Sequence, residues 1–258
     1  RYATLAVGKR IRPFLVLTCA ELFGVTRNLA MRVAAAAELV HSYSLIHDDL
    51  PCMDDDALRR GQPTVHIKYD EATAVLAGDA LQALAFQVLA NSDWHPEPLV
   101  RANLVAALAR AVGSQGMVAG QMIDLLGEGR DFSITEITRL QELKTGALIS
   151  FCCQSGAILG KCSKSHSRAI NAYAQNLGLA FQIVDDVLDV EGSSVALGKA
   201  VGKDATLGKA TFVSELGIEG AREKARSVAD QAVMHLEPFS EKADLLRDLV
   251  EFIIERKI

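Results

Sequence analysis

Apolar residues recur every three to four positions along most of this 258-residue chain, and this spacing places them on one face of an α-helix. Half of the residues are hydrophobic and only 6 are proline, a composition that favours helices over a β-sandwich. No segment shows the alternation of a strand. We therefore predict one all-α domain in which one or two apolar helices are surrounded by the others. The predicted helices cover residues 12–24, 29–50, 70–91, 97–126, 134–160, 166–191 and 219–257, the last with a break near Pro238.

Charge and composition limit the partners and the location. The net charge of −5 argues against a nucleic acid as partner. Residues 72–90 most resemble a membrane span, but they contain Asp79, Gln82 and Gln87, so we predict a buried core helix and no span. Five cysteines without a CxxC pair fit a reducing compartment, and no signal peptide is visible, so the expected location is cytoplasmic.

Two aspartate clusters stand out against this apolar background. Carboxylates packed this densely repel one another, and protonation or a cation normally relieves the repulsion. Aspartate-rich sites prefer hard metals such as Mg²⁺, whose usual second ligand is a phosphate. A solvated turn or helix end is the alternative for either cluster alone, but together they predict a cavity where metal ions hold a polyphosphate. The clusters are Asp48, Asp49 and Asp54, and Asp185, Asp186 and Asp189.

The first cluster lies at the end of a predicted helix. His41, Ser44 and Asp48 share one stripe of that helix because they are spaced by three and four residues. Pro51 cannot donate a helical hydrogen bond. We therefore expect the helix to bend or end there, which would swing Asp54 back toward a metal.

The second cluster is simpler. Asp185 and Asp189 are four residues apart, so they are neighbours on one helix face, with Phe181 and Gln182 one turn earlier. The flanking residues are apolar, which makes unpaired carboxylates costly at this place. The pattern predicts a metal clamp that emerges from a core helix.

Basic residues complete the candidate site. Arg59 and Arg60 follow the first cluster, and arginine suits bidentate recognition of phosphate. Lys144 lies in an apolar helix, where it needs a partner or a route to solvent. A glycine-spaced basic stretch over residues 192–209 could be a flap over phosphates or an ordinary solvated loop. The remaining cations of interest are Lys9, Arg10, Arg12, Lys199 and Lys209.

Taken together, these motifs resemble those of the trans-isoprenyl diphosphate synthases, most closely the bacterial short-chain farnesyl diphosphate synthases. The resemblance runs over nearly the whole chain, and the block with two adjacent aspartates, a third and two arginines is highly specific. The motifs are residues 8–13 (GKRIRP), 41–61 (HSYSLIHDDLPCMDDDALRRG), 78–79 (GD), 120–124 (GQMID), 144–147 (KTGA), 182–189 (QIVDDVLD) and 197–199 (LGK).

The resemblance implies a single domain over residues 1–258, an all-α bundle of long helices around a central cavity, and a homodimer. It implies a prenyltransferase that condenses isopentenyl diphosphate with dimethylallyl or geranyl diphosphate to give farnesyl diphosphate and pyrophosphate. The allylic diphosphate would ionise, isopentenyl diphosphate would attack the cation, and a proton would be lost. A geranyl or geranylgeranyl diphosphate synthase is the main alternative. A class I terpene cyclase is less favoured because the second aspartate motif argues against it.

The same resemblance implies a role for each site residue. About three Mg²⁺ ions, with Mn²⁺ as a substitute, would be held by Asp48, Asp49, Asp54, Asp185, Asp186 and Asp189. The allylic diphosphate would be neutralised by Arg59, Lys144, Lys199 and Lys209. The diphosphate of isopentenyl diphosphate would be held by Lys9, Arg12, His41 and Arg60. Lys144, Thr145 and Gln182 would be catalytic, the last two by presenting oxygens to the developing cation.

Chain length is predicted from Tyr43, which precedes Asp48 by five residues and so lies roughly 7–8 Å deeper along the helix. With Ser44 beside it, a bulky ring there would form the floor of an apolar tube, although ordinary core packing is the alternative. An aromatic at this place is typical of farnesyl-making members, so the resemblance implies a C15 product.

Two departures from the family pattern are visible. Val7-Gly8 stands where the family usually has two glycines, and relatives carry some tens of residues upstream, so we expect a truncated or partly disordered N-terminus. A helical metal phosphohydrolase that uses His41, His47 and Asp48 as ligands would leave the second cluster and the basic residues unexplained. A catalytically silent partner subunit would be expected to have lost an aspartate or a lysine, and none is lost.

Overall fold

The computed structural model describes residues 1–127, 129–191 and 210–256, and helices make up most of this part of the chain, which confirms the all-α prediction. The helices are α1 (Ile11–Leu22), α2 (Arg27–Asp48), α3 (Val65–Lys68), α4 (Glu71–Ala90), α5 (Pro98–Val112), α6 (Met117–Gly127), α7 (Ile134–Gln141), α8 (Ala147–Leu159), α9 (Lys164–Glu191), α10 (Phe212–Met234) and α11 (Asp244–Glu255). A π-helical turn, Glu142–Gly146, joins α7 to α8, and a 3₁₀ segment, Glu237–Ala243, joins α10 to α11.

The core is built around α8, most of whose side chains are buried. This helix packs against α1, α2, α5 and α9, as the prediction of an apolar helix surrounded by others requires. Gly156 lets α1 come close, because a Cβ there would lie 2.4 Å from the carbonyl carbon of Cys19. The start of α1 lies beside α2, since Nη1 of Arg12 is 3.3 Å from Nε2 of His41.

Three predicted helices have different boundaries in the structure. The segment 97–126 forms two helices, α5 and α6, because residues 113–116 between them are not helical. The segment 134–160 contains the π turn, and the segment 219–257 is α10, which begins at Phe212, followed by the 3₁₀ segment and α11. The predicted break near Pro238 is confirmed, because the 3₁₀ segment Glu237–Ala243 lies there. The interruption at residues 113–116 and the π turn were not predicted.

The prediction that residues 72–90 form a buried core helix is wrong. By length and composition α4 could cross a membrane, but only 22% of its apolar window is buried. Its small residues, such as Ala74 and Gly78, face the bundle, whereas Leu76 is 66% exposed and Leu84 is also exposed. The helix lies on the outside of the bundle, and its outer apolar face has no cover within the described chain.

The expectation that strands are absent is wrong, because the structure contains a β-hairpin whose strands have two residues each. β1 (Leu58–Arg59) pairs antiparallel with β2 (Gln62–Pro63). Arg60 and Gly61 between them both have positive φ, 53° and 73°, as the tightest hairpin turns require. Strands this short show no alternation in sequence, yet the hairpin places Arg59 beside the first aspartate cluster.

Candidate active site

The first aspartate cluster forms where α2 ends. Asp48 is the last helical residue and Asp49 follows as its cap. The chain then turns back, because the backbone N–H of Asp54 donates to the carbonyl of Asp48 at 2.8 Å. The predicted end of the helix near Pro51 is confirmed, and the backbone of Asp54 returns to Asp48. The orientation of Asp54 toward a metal stays a prediction.

Burial makes the negative charge of this cluster unfavourable. It raises the pKa of Asp48 to about 6, and the charge of Asp54 adds to the rise while Lys144 opposes it. Burial likewise raises the pKa of Asp49 to about 6, against the opposing effect of Arg59. A divalent cation at this place would relieve both costs.

Arg59 reaches from the hairpin into the same cluster. Its Nε donates to Oδ1 of Asp49 at 2.5 Å, and its Nη2 donates to Oδ2 of Asp56 at 3.2 Å. The guanidinium therefore fixes the loop after α2 through two carboxylates. Its predicted contact with the allylic diphosphate stays a prediction.

Lys144 lies in the π turn, which places it opposite α6. Its Nζ donates to Oδ2 of Asp124 at 2.6 Å, and both side chains are largely buried. Gly120 makes this approach possible, because a Cβ there would lie 2.3 Å from the backbone nitrogen of Lys144. Single π turns inside helices are common at functional sites, and the charge of Lys144 in this one also counteracts the rise in the pKa of Asp48 in the first aspartate cluster.

The next residue, Thr145, begins a hydrogen-bond chain that leads to the second cluster. Its Oγ1 donates to Oε1 of Gln182 at 3.0 Å. The amide of Gln182 donates in turn to Oδ1 of Asp186 at 3.0 Å, and Oδ2 of Asp186 accepts from the backbone N–H of Phe212 at 3.0 Å. The π turn thus connects to one cluster through Lys144 and to the other through Thr145.

The members of the second cluster have different environments. Asp186 and Asp189 are buried on α9, and both oxygens of Asp186 accept from protein groups. Asp186 therefore joins α9 to the start of α10, and its role as a metal ligand stays a prediction. Asp185 has 43% of its side chain exposed and is paired with Arg256 through Oδ1.

The predicted isopentenyl diphosphate residues come together at the start of α1. Nη1 of Arg12 lies 3.3 Å from Nε2 of His41. Burial and then the neighbouring arginines, Arg12 first, lower the pKa of His41 well below its usual value, so its ring is neutral. Arg60 lies close against Gly8, where a Cβ would be 2.8 Å from its guanidinium carbon.

Burial is costly for these cations as well. It is the main cause that lowers the pKa of Lys9, of Arg12 and of Arg60. Arg10 is different, because its charge already has protein partners. Its backbone is left-handed (φ 51°), and its guanidinium forms an ion pair with Glu38 and donates to the carbonyls of Thr4 and Ala6. The result is a set of concentrated positive charges that an anion would stabilise.

Tyr43 is buried within α2, and its ring packs edge-on against His47 with centroids 5.8 Å apart. Burial raises the pKa of its phenol, and the amide of Gln82 on α4 opposes this rise. The hydroxyl of Ser44 donates to the carbonyl of His41 at 3.1 Å. Tyr43 thus occupies the junction of α2 and α4, and its role as the floor of a tube stays a prediction.

Comparison with known proteins decides the family. A model described as polyprenyl synthetase matches residues 1–252. This chain is a member of the polyprenyl synthetase family. Within the family it is similar to the farnesyl diphosphate synthase of Escherichia coli (strain K12), with 45% identity over 262 aligned positions that cover 99% of this chain and 87% of that protein.

Solved structures agree with this assignment. An FPP/GFPP synthase from Zymomonas mobilis has a TM-score of 0.90 and 50% identity, covering 98% of this chain and 86% of that one. A geranyltransferase from Helicobacter pylori, complexed with magnesium and isoprenyl diphosphate, has a TM-score of 0.86 and 33% identity, covering 98% and 84%. The predicted family and fold class are therefore confirmed.

Magnesium fits the donors that this chain provides. The two motifs offer carboxylate oxygens, the hard ligands that Mg²⁺ prefers, and burial raises the pKa of Asp48 and Asp49 to about 6 despite the opposing charges of Lys144 and Arg59. Within the described ranges, no three His, Cys, Asp or Glu side chains are already grouped to hold a metal ion. This is understandable because Mg²⁺ commonly takes only one or two carboxylates and completes its shell with phosphate and water.

Two side chains near the candidate site were not predicted from the sequence, and two predicted ones cannot be placed. Asp124 belongs to a motif recognised from sequence, but its role as the partner of Lys144 appears only in three dimensions. Arg256 gave no signal at all, since it is 71 residues from Asp185. Lys199 and Lys209 lie outside the described residues.

Proposed function

We propose that this protein is a Mg²⁺-dependent prenyltransferase that condenses isopentenyl diphosphate with an allylic diphosphate to form farnesyl diphosphate and pyrophosphate. The observation that carries the proposal is the path from Lys144 to Asp186 through Thr145 and Gln182. It connects two carboxylate motifs and a buried cation in one arrangement. Such an arrangement suits the departure of a diphosphate group from an allylic carbon.

The first step is ionisation of the allylic diphosphate. Mg²⁺, when bound, supplies positive charge that stabilises the departing pyrophosphate, and about three ions, or Mn²⁺ in their place, form part of the proposal. Lys144 adds a fixed charge, since Asp124 holds its Nζ at 2.6 Å. A preorganised charge of this kind stabilises the leaving group most when its negative charge is fully developed.

The allylic cation needs oxygen atoms nearby and no nucleophilic side chain. Oγ1 of Thr145 and Oε1 of Gln182 are held together by their hydrogen bond, and Asp186 fixes the amide of Gln182. These dipoles are therefore oriented before substrate arrives. In the proposed mechanism they stabilise the cation without capturing it, which leaves the attack to isopentenyl diphosphate.

The second substrate binds through the cations around α1. Lys9, Arg12 and Arg60 each bear the cost of burial, and a diphosphate would offset that cost with charge-assisted hydrogen bonds. Neutral His41 keeps Arg12 in position through their 3.3 Å contact. The proton lost after condensation goes, in this proposal, to the released pyrophosphate.

Farnesyl diphosphate is the proposed product because Tyr43 is a bulky, buried side chain on α2 close to Asp48. The Zymomonas mobilis relative is named for two products, FPP and GFPP, so a longer product is the second candidate. The chain is also proposed to act in the cytoplasm, which its five free cysteines fit.

A homodimer is part of the proposal. The outer face of α4 exposes Val75, Leu76 and Leu84, and α6 exposes Val118 and Met122 one turn apart on one face. Apolar faces of this kind mark protein–protein contacts in soluble proteins. A second copy of the chain would cover them with an equally apolar surface.

One assay tests the proposed function. Purified protein is incubated with Mg²⁺, labelled isopentenyl diphosphate and geranyl diphosphate, and the products are separated by chromatography. A labelled C15 diphosphate is the expected result. A cyclised hydrocarbon would indicate a terpene cyclase, free phosphate a hydrolase, and no product a silent partner subunit.

A further inference from the structure

We propose that Arg256, at the end of α11, is a positioning residue that orients Asp185 for metal binding. This inference rests on the proposed function, because it assigns Arg256 a part in the same site. Nη2 of Arg256 donates to Oδ1 of Asp185 at 2.5 Å. Only 3% of the Arg256 side chain is exposed, whereas 43% of Asp185 is, so the pair presents the carboxylate and hides the cation.

The guanidinium is held by more than this one ion pair. Nη2 also donates to the carbonyl of Phe181 at 3.2 Å, and the guanidinium carbon lies 4.4 Å from the centre of the Phe181 ring. Phe181 is one helical turn before Asp185, so α9 supplies the ring, the carbonyl and the carboxylate. Arg256 is therefore held at three points on α9, and one of them is the carboxylate of Asp185.

The geometry leaves the other carboxylate oxygen available. Within the described chain, Arg256 contacts Oδ1 of Asp185, and no protein hydrogen bond is made to Oδ2. Asp186 differs, because both of its oxygens accept from protein donors. A carboxylate held through one oxygen keeps its rotamer while the second oxygen remains free to ligate a metal.

Lys9 is a second cation near this ion pair. Lys9 feels the charges of both Arg256 and Asp185, with opposite effects on its pKa, so the three groups lie close together. Without Arg256, Asp185 would be attracted to Lys9, a proposed ligand of isopentenyl diphosphate.

The test measures binding of Mg²⁺ together with inorganic pyrophosphate, by titration calorimetry and by the rise in Tm that the two cause. We expect Arg256→Gln to weaken the apparent Mg²⁺ affinity about tenfold, the size typical for residues that support metal ligands. Arg256→Lys keeps the charge but loses the planar guanidinium. Its apparent Mg²⁺ affinity should lie between those of the wild type and Arg256→Gln. In steady-state assays the Mg²⁺ concentration for half-maximal rate should rise by the same factor.

The matched control is Arg222→Gln, which removes an exposed ion pair between the same helix, α9, and α10. It should leave Mg²⁺ affinity unchanged. Unaltered Mg²⁺ affinity in folded Arg256→Gln, or an equal loss in the control, would overturn the proposal. If Arg256→Gln does not fold, Arg256→Lys decides the question, and wild-type affinity in that variant counts against it.

The binding readout also separates this inference from the proposed function. If the wild-type protein binds Mg²⁺ and pyrophosphate but transfers no prenyl group, the proposed function fails and the role of Arg256 is still measured. If prenyl transfer is observed and Arg256→Gln binds Mg²⁺ normally, only the role of Arg256 fails.

Discussion

Nζ of Lys144 lies 2.6 Å from Oδ2 of Asp124, and this buried pair joins the π turn to α6. Burial raises the pKa of Asp48, and the positive charge of Lys144 opposes this rise. The pair therefore places a fixed cation beside the first aspartate cluster. Because Asp124 accepts this bond, it determines where the cation points.

Asp124→Asn should lower kcat by about ten- to a hundredfold, the range seen when a supporting residue of an active site is lost. The amide keeps the shape but cannot hold the ammonium by charge, so Lys144 loses its fixed direction. KM for isopentenyl diphosphate should change little. Glu142→Gln is the control, since Glu142 lies in the same π turn but pairs with exposed Arg139. A kcat equal to that of the wild type in Asp124→Asn would contradict this role.

Gly120→Ala should destabilise the protein by about 1–3 kcal/mol, the usual cost of overpacking. The new Cβ would lie 2.3 Å from the backbone nitrogen of Lys144, so either the π turn or α6 must move. Urea denaturation measures the loss, and kcat should fall with it. Gly146→Ala, where the Cβ would meet only the carbonyl of Gln141 at 3.5 Å, should be tolerated. Equal stability of the two variants would refute the argument.

Mg²⁺ binding should strengthen as pH rises through about 6. The folded-state pKa values of Asp48 and Asp49, both about 6, lie above the ordinary value of 3.8. Without metal, the folded protein therefore binds protons more tightly than the unfolded chain, and these two groups lower its stability as pH rises from about 4 to 6. Above pH 6 the deprotonated carboxylates are ready for a cation.

The rise in Tm caused by Mg²⁺ and pyrophosphate, measured from pH 5 to 8, checks this prediction. The rise should grow across pH 6 in the wild type and become flatter in Asp48→Asn. Asp93→Asn, in an exposed loop, should behave like the wild type. A stabilisation that does not vary with pH would show that these carboxylates are not the groups Mg²⁺ binds.

Tyr43→Ala should lengthen the product beyond C15. Removing a buried ring near the junction of α2 and α4 opens space where the growing chain would otherwise stop. Chromatography of labelled products measures the distribution, and Tyr69→Ala, which removes an exposed ring, is the control. If Tyr43→Ala still yields only the C15 chain, Tyr43 is ordinary core packing.

Leu76→Glu should convert a dimer into a monomer. Leu76 is the most exposed of the large apolar side chains on α4, and a charge there would be costly to bury in an apolar contact. Sedimentation velocity measures the mass. Met234→Glu adds the same charge at an exposed position on α10 and should leave the dimer intact. A wild-type monomer would rule out the proposed dimer at once.

Local patterns predicted the parts of the site that depend on neighbours in sequence. The end of α2 near Pro51 and the return of Asp54 followed from backbone chemistry, and both occur in the structure. The π turn was not predictable from the sequence, because apolar spacing continues through it. Its position becomes clear only from the packing of Lys144 against Gly120 on α6, where a Cβ would lie 2.3 Å from the backbone nitrogen of Lys144.

The amino-acid sequence by itself determined the helical class, the two carboxylate motifs and the family, because these depend on periodicity and on residue types at fixed spacing. Only the tertiary structure decided which carboxylates are engaged and by what. Asp186 is bound at both oxygens, Asp185 is held through one by Arg256, and Asp124 holds Lys144. These pairings join groups as many as 71 residues apart, and distances between helices, which local spacing does not encode, determine them.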